Sequence, residues 1–412
     1  MNKLNKRVIL LLTVSIFGIF GNIKGQSAEE LVRLALENNP EIMSRNRSYE
    51  AMKEKVGQVA LPDPMVTLGY FVSPVETRLG PQQFNAMASQ QFPWFGTLKS
   101  QRNVAQLMAE SKYSQLIDLQ NRIAYSVIEN YEAWQNLNSQ QEILKENIEL
   151  MESVLRLVTQ KVESGKAAVV DVLQIEMELN ALRTSLKNLG EMESPLKAKM
   201  EMLAGTTVLR PKFSPNPVIN TRIEFSLNDS IWDANPRIEA LSLEMESQRE
   251  MKNVAKKMGS PGFTLGANYI NVGERTDMNP PGNGTDAIMF PQVGIRLPLQ
   301  RKKYTAMKRE AQLNEEAILF TQQNLKNQLR VEAEMAVRNY NTALRNYSLA
   351  SEQQILVEKG IDLMIASFST GKKSLEDLVQ LQRKKIEFEN LKAKSVYEGN
   401  AQSAFLKYLL AY

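Results

Sequence analysis

Two turn motifs carry the residues best placed to do chemistry in this chain. Gly165-Lys166 is followed by Asp171 and Gln174, and Gly371-Lys372 is followed by Lys373, Asp377 and Gln380. Each shared position recurs 206 residues on. An acid just after a glycine turn can cap the next helix or offset its dipole. Covalent chemistry has little to work with. There is no Cys and no His, which removes thiolate nucleophiles, Ser-His pairs and nearly all zinc sites. No Gly-x-x-x-x-Gly-Lys-Ser/Thr loop occurs, so there is no phosphate cradle of that kind. Carboxylates are abundant, but no pair stands apart from charged helix faces, and acid–base catalysis needs a convergent pocket. The chain therefore reads as a non-enzyme without cofactor or metal. Its 19 Met residues are scattered along helices and read as gap-fillers in helix packing, not as a metal relay.

The elements that position these turns are duplicated. Asn39-Pro40 recurs as Asn235-Pro236, and Thr67-Leu68-Gly69 as Thr264-Leu265-Gly266, in the same order as the two turns. A long repeated unit fits this pattern better than a short solenoid repeat. The reading is a first repeat over 26–204, a Pro-rich connector over 205–230 and a second repeat over 231–412. Each repeat holds a helix, a β-hairpin (65–92 and 263–297) and a long helical pair (97–203 and 302–411).

Met65 to Val72 alternates Val66, Leu68, Tyr70 and Val72 with Thr67, Gly69 and Phe71. Ser73 to Gln83 is turn-rich, and Phe84 to Phe92 alternates again. Strands of about nine residues are expected, long enough for a tilted membrane strand. Tyr70, Trp94 and Phe95 are expected as membrane-interface aromatics. Pro291 weakens the start of the fourth strand. From Thr97 to Ser164 there is neither Pro nor Gly, and apolar residues fall at steps of three and four, the mark of a coiled-coil helix roughly 100 Å long. A second helix is expected from about Val169 to Leu203.

Lys3, Lys6 and Arg7 precede an apolar run from Val8 to Phe20, so residues 1–25 read as a secretory signal peptide. Removing Lys3, Lys6, Arg7 and Lys24 from 50 basic residues leaves 46 against 46 acids. Nothing in that balance suggests nucleic acid as a partner. No later stretch is apolar enough for a transmembrane helix, so any membrane crossing must use strands.

Four membrane strands cannot close a barrel alone, since single-chain barrels start at eight. Unpaired strand edges in lipid cost several kcal/mol per backbone group, so the strands must pair with other copies. Three copies would supply twelve strands, extended by a tube of packed helices. The alternative is a periplasmic coiled-coil structural or interaction protein without pore activity.

At the two turn motifs, in register with paired hairpins, the chain resembles the TolC-like outer membrane efflux proteins. The resemblance implies a mainly α fold with a small membrane β-barrel contribution, built as a homotrimer in the cell outer membrane. Its helical barrel would lie in the periplasm, where it would meet a periplasmic adaptor (membrane fusion) protein. An inner-membrane pump, such as a resistance-nodulation-division transporter, would supply the energy. Many relatives are lipid-anchored at an N-terminal Cys, which this chain lacks. By motif, Asp377 matches the acidic ring residue of the periplasmic gate, Lys373 its basic partner and Asp171 the equivalent acid in the first half. Gln380 stands where some relatives carry a second acid. An Asp377 ring would favour cations, and Lys373 near Asp171 would form a charge-assisted contact. Gly165, Lys166, Ala167, Ala168, Gly371, Lys372 and Ser374 are the expected adaptor-docking tips.

Overall fold

The computed structural model describes residues 25–213, 219, 229–369 and 375–410. Most of the expected signal peptide, residues 1–24, lies outside them, as do Gly371, Lys372, Lys373 and Ser374. The first repeat opens with α1 (Ala28–Asn38), which Ser27 and Glu30 start with a reciprocal capping box. Asn39 then caps α2 (Pro40–Gln58), with proline at the first helical position. Strands β1 (Met65–Thr77) and β2 (Gly80–Phe92) follow, then α3 (Thr97–Glu163), α4 (Val169–Glu191) and α5 (Glu193–Ala204). After a 3₁₀ turn (Asp229–Ala234), the second repeat runs through α6 (Pro236–Met258), β3 (Gly262–Val272), β4 (Ala287–Arg296), α7 (Arg301–Ser369) and α8 (Leu375–Leu410). Among the described residues no helix is long and apolar enough to cross a membrane.

Three local expectations change. The helix expected from Val169 to Leu203 breaks at Met192, because Pro195 lacks an N–H and settles in the first turn of α5, where amides have no helical partner. The first two strands are 13 residues each, not about nine. A register shift between Tyr70 and Val75 absorbs Pro74 on an edge strand, leaving only a tight turn at Arg78-Leu79. Pro291 does not shorten β4. That strand is the other edge of the sheet, and the ladder shifts register opposite it, between Gly266 and Asn268.

The two repeats close in the same way. Asn39 Nδ2 donates to Leu203 O at 2.8 Å, and Asn235 Nδ2 donates to Leu409 O at 2.8 Å. Each side chain caps its helix and ties the repeat's first helices to its last. Gly205, at φ +67°, lies so close to Asn38 that a Cβ would sit 2.2 Å from its carbonyl oxygen, so this turn requires glycine. Each tie sits beside a buried apolar cluster. In the first repeat Trp134, Leu31, Val127 and Met200 pack together; in the second Trp232, Ile238, Leu329 and Leu409 do.

Candidate functional site

A single antiparallel sheet with order β1-β2-β3-β4 joins the hairpins of both repeats. Its register sorts residue types by face. Val66, Leu68 and Tyr70 oppose Ala88, Ala86 and Phe84, and that row continues into Ala267, Tyr269, Leu265 and Phe263, then Ile288, Val293 and Ile295. The outer members of this row are open to solvent, with Leu68 66% exposed and Val293 65%. The opposite face carries Thr67, Asn85, Ser89, Gln91, Thr264, Asn268 and Gln292 interspersed with Met87, Ile270 and Met289, while Gln90 interrupts the apolar row beside Leu265. Period-two alternation of this kind gives a wall with one mainly apolar and one mainly polar side. Asn85, Asn268 and Gln292 each bury an amide oxygen that has no hydrogen-bond partner among the described residues. Both sheet edges, β1 and β4, are unpaired among the described residues.

The aromatic residues sit at two levels rather than one. Trp94, Phe95 and Phe263 cluster where the sheet meets the helices, with ring centroids 5.8–6.0 Å apart. Tyr70 opposes Phe84 further up, near Tyr269. Phe92 stands eight positions beyond Phe84 on β2, roughly 27 Å along the strand. That is close to the apolar band of a membrane barrel once tilt is allowed for.

At the other end of the molecule the helix ends that flank the two turn motifs meet. The ends of α3 and α7 and the starts of α4 and α8 share one core, in which Val158, Ile175, Leu375 and Leu378 are buried. Gly165 takes φ +71°, and a Cβ there would meet nothing within 4 Å, so backbone handedness rather than crowding selects glycine. Lys166 and Ala168 are exposed and Ala167 half-exposed. The Asp171 carboxylate accepts from Ala168 N–H at 3.1 Å, half of a capping box, since alanine has no side-chain acceptor to return the bond. Asp377 is half-buried and Gln380 exposed; both line a surface groove with Arg383, Lys384 and Glu387.

Two charged arrangements near this end were not anticipated. Arg383 on α8 grips Glu178 on α4 through Nη2 at 2.7 Å and Nε at 3.2 Å, tying the two hairpins together with a fork geometry. Deeper in, Asn147 on α3 donates to Glu389 at 3.1 Å and accepts from Gln382, while Lys385 stands 3.5 Å from Glu389. Asn147 and Gln382 are buried. The helical periodicity marks these positions as inward-facing, but only the packing of α3 on α8 makes partners of residues 242 apart.

Burial pushes the Glu389 carboxyl up from its ordinary value, against the pull of Lys385 and the Asn147 hydrogen bond; Glu146 adds to the rise. The folded chain therefore holds this proton more tightly than the unfolded one. The contribution is full below the ordinary carboxylate range and is lost as pH rises through Glu389's raised pKa. Glu389→Gln is expected to gain stability relative to the native chain as pH rises from the ordinary carboxylate range, about pH 4, towards neutrality. Thermal unfolding followed by helical circular dichroism across that range checks it, and parallel curves would refute the assignment.

Long helical hairpins beneath an antiparallel sheet are a fold that this chain shares with solved outer-membrane channels. The model of the outer membrane efflux protein family matches residues 31–190, and the resemblance read from the turn motifs is thereby shown. Solved channels share the fold nearly end to end. The chain is 12% identical to CusC, covering 96% of this chain and 95% of that one with a TM-score of 0.76. VceC from Vibrio cholerae is 14% identical, with 93% and 95% covered and a TM-score of 0.73. CmeC from Campylobacter jejuni is 14% identical, with 99% and 94% covered and a TM-score of 0.71. No curated protein matches the chain in sequence.

Proposed function

We propose that this chain is the outer-membrane channel-tunnel of a tripartite efflux system, a passive exit duct. It would work as a homotrimer with a periplasmic adaptor and an inner-membrane pump such as a resistance-nodulation-division transporter. The observation that carries the reading is the four-stranded sheet, mainly apolar on one face, mainly polar on the other and open at both edges among the described residues. A lone sheet of this kind leaves backbone groups unpaired in lipid, whereas three copies supply a closed twelve-stranded wall. A second surface asks for the same partner. Met335, Leu349, Leu356 and Leu363 on α7 recur at heptad spacing and are 47–70% exposed, a seam that another long helix would cover.

The helices then continue the pore into the periplasm, and the joined tips form its mouth. In this reading Asp377 gives a ring of carboxylates on the axis, Asp171 and Lys373 hold neighbouring tips, and Gln380 leaves the constriction less negative than a double ring. The tip residues Lys166, Ala167 and Ala168, with Gly165, Gly371, Lys372 and Ser374, meet the adaptor.

The test begins with the detergent-extracted protein, sized by light scattering and then reconstituted in a planar bilayer. A conducting trimer is expected, with Asp377→Ala lowering its cation preference. A soluble monomer without conductance would overturn the duct. Unchanged selectivity in Asp377→Ala would remove the gate assignment alone.

A further inference from the structure

Five of the 19 Met residues line one cavity of about 490 Å³. They come from four helices: Met52 on α2, Met108 on α3, Met251 and Met258 on α6, and Met307 on α7. All lie toward the sheet-proximal ends of those helices. Met108 is exposed and the other four are half-buried. Methionine commonly closes irregular gaps in a core, but a filled gap leaves no void. These five border open space, with the buried Val104 and Val254 among the other lining residues.

The donor set is chemically narrow. No carboxylate lines the cavity, and the chain has neither Cys nor His. Its one charged lining residue, the exposed Lys55, disfavours any cation held by charge alone. Hard divalent ions need oxygen ligands, and zinc needs imidazole or thiolate. Thioether sulfur instead selects soft, monovalent d¹⁰ ions.

We propose that this cavity is a binding site for a soft monovalent cation of the Cu(I) and Ag(I) class, held by thioether sulfurs from α2, α3, α6 and α7. Recruiting ligands from four helices also cross-links both repeats just below the sheet. The site does not depend on conduction, so its test stands apart from the duct.

Silver nitrate is the probe, in chloride-free buffer, with the full chain in detergent. Equilibrium dialysis is expected to show roughly one Ag(I) retained per chain, with Zn(II) not retained. Met251→Leu with Met258→Leu keeps side-chain volume and is expected to weaken Ag(I) retention roughly tenfold or more, with helical circular dichroism unchanged. Met177→Leu and Met278→Leu lie outside the cavity and are expected to bind as the native chain does. No stoichiometric Ag(I) on the native chain would overturn the site. So would equal retention by the cavity and control variants.

Discussion

Leu68→Arg is expected to cost the membrane-inserted sheet about 2–4 kcal/mol per chain, the penalty for an arginine facing lipid near the midplane of a barrel. Leu68 opposes Ala86 in the middle of the apolar row and is exposed within its own chain. Asn85→Arg places the same charge one rung away on the polar face, where it would meet water in the lumen and change selectivity instead. The comparison is read as the yield of assembled protein in outer membranes and as conductance. Loss of assembly in Leu68→Arg with retention in Asn85→Arg supports the assignment of faces. The reverse pattern would turn the sheet inside out, and full tolerance of both would mean that neither face meets lipid.

Trp134→Ala is expected to lose about 3–5 kcal/mol of stability, the cost of emptying a buried indole site. Trp134 is 1% exposed and packs with Leu31, Val127 and Met200, where α1, α3 and α5 converge. Its Nε1 is buried without a hydrogen-bond partner among the described residues, so the indole contributes through packing rather than through its N–H. Trp134→Phe keeps much of the ring and removes that unsatisfied donor, and its loss should be well below that of Trp134→Ala. Denaturant unfolding of the solubilised protein, followed by circular dichroism, separates the two. Equal losses would mean that the N–H has a partner and that the packing argument is incomplete.

The two variants probe different layers of the design. In the proposed duct the sheet residues decide whether the chain enters the membrane, because lipid tolerates apolar side chains and closed ladders only. The Trp134 cluster decides whether the first repeat keeps its short helices docked on the long one. A defect in the second would spread to the tip, because α3 belongs both to this cluster and to the tip core.

Much of the fold was legible in the sequence because its signals are local and periodic. The absence of Pro and Gly from Thr97 to Ser164, with apolar steps of three and four, yields a 67-residue helix. Asn39-Pro40 and Asn235-Pro236 mark two helix starts because asparagine caps and proline tolerates the first position. The alternation Val66, Leu68, Tyr70 already separates the two faces of β1, since side chains on a strand alternate strictly.

Tertiary structure decided what depends on distant partners. The run through Pro74 and Pro291 could not be read locally, because proline is acceptable only on a sheet edge, and edge position is a property of the whole sheet. Arg383 with Glu178, and Asn147 with Glu389, are 205 and 242 residues apart. Their pairing follows from how the two repeats pack, not from any spacing along the chain. The methionines make the same point. Along the sequence they are scattered filler, and only the convergence of four helices brings five of them around one cavity. Periodicity thus fixed each element and the face it buries, while the close-packed meeting of faces, which admits few arrangements, fixed which side chains could act together.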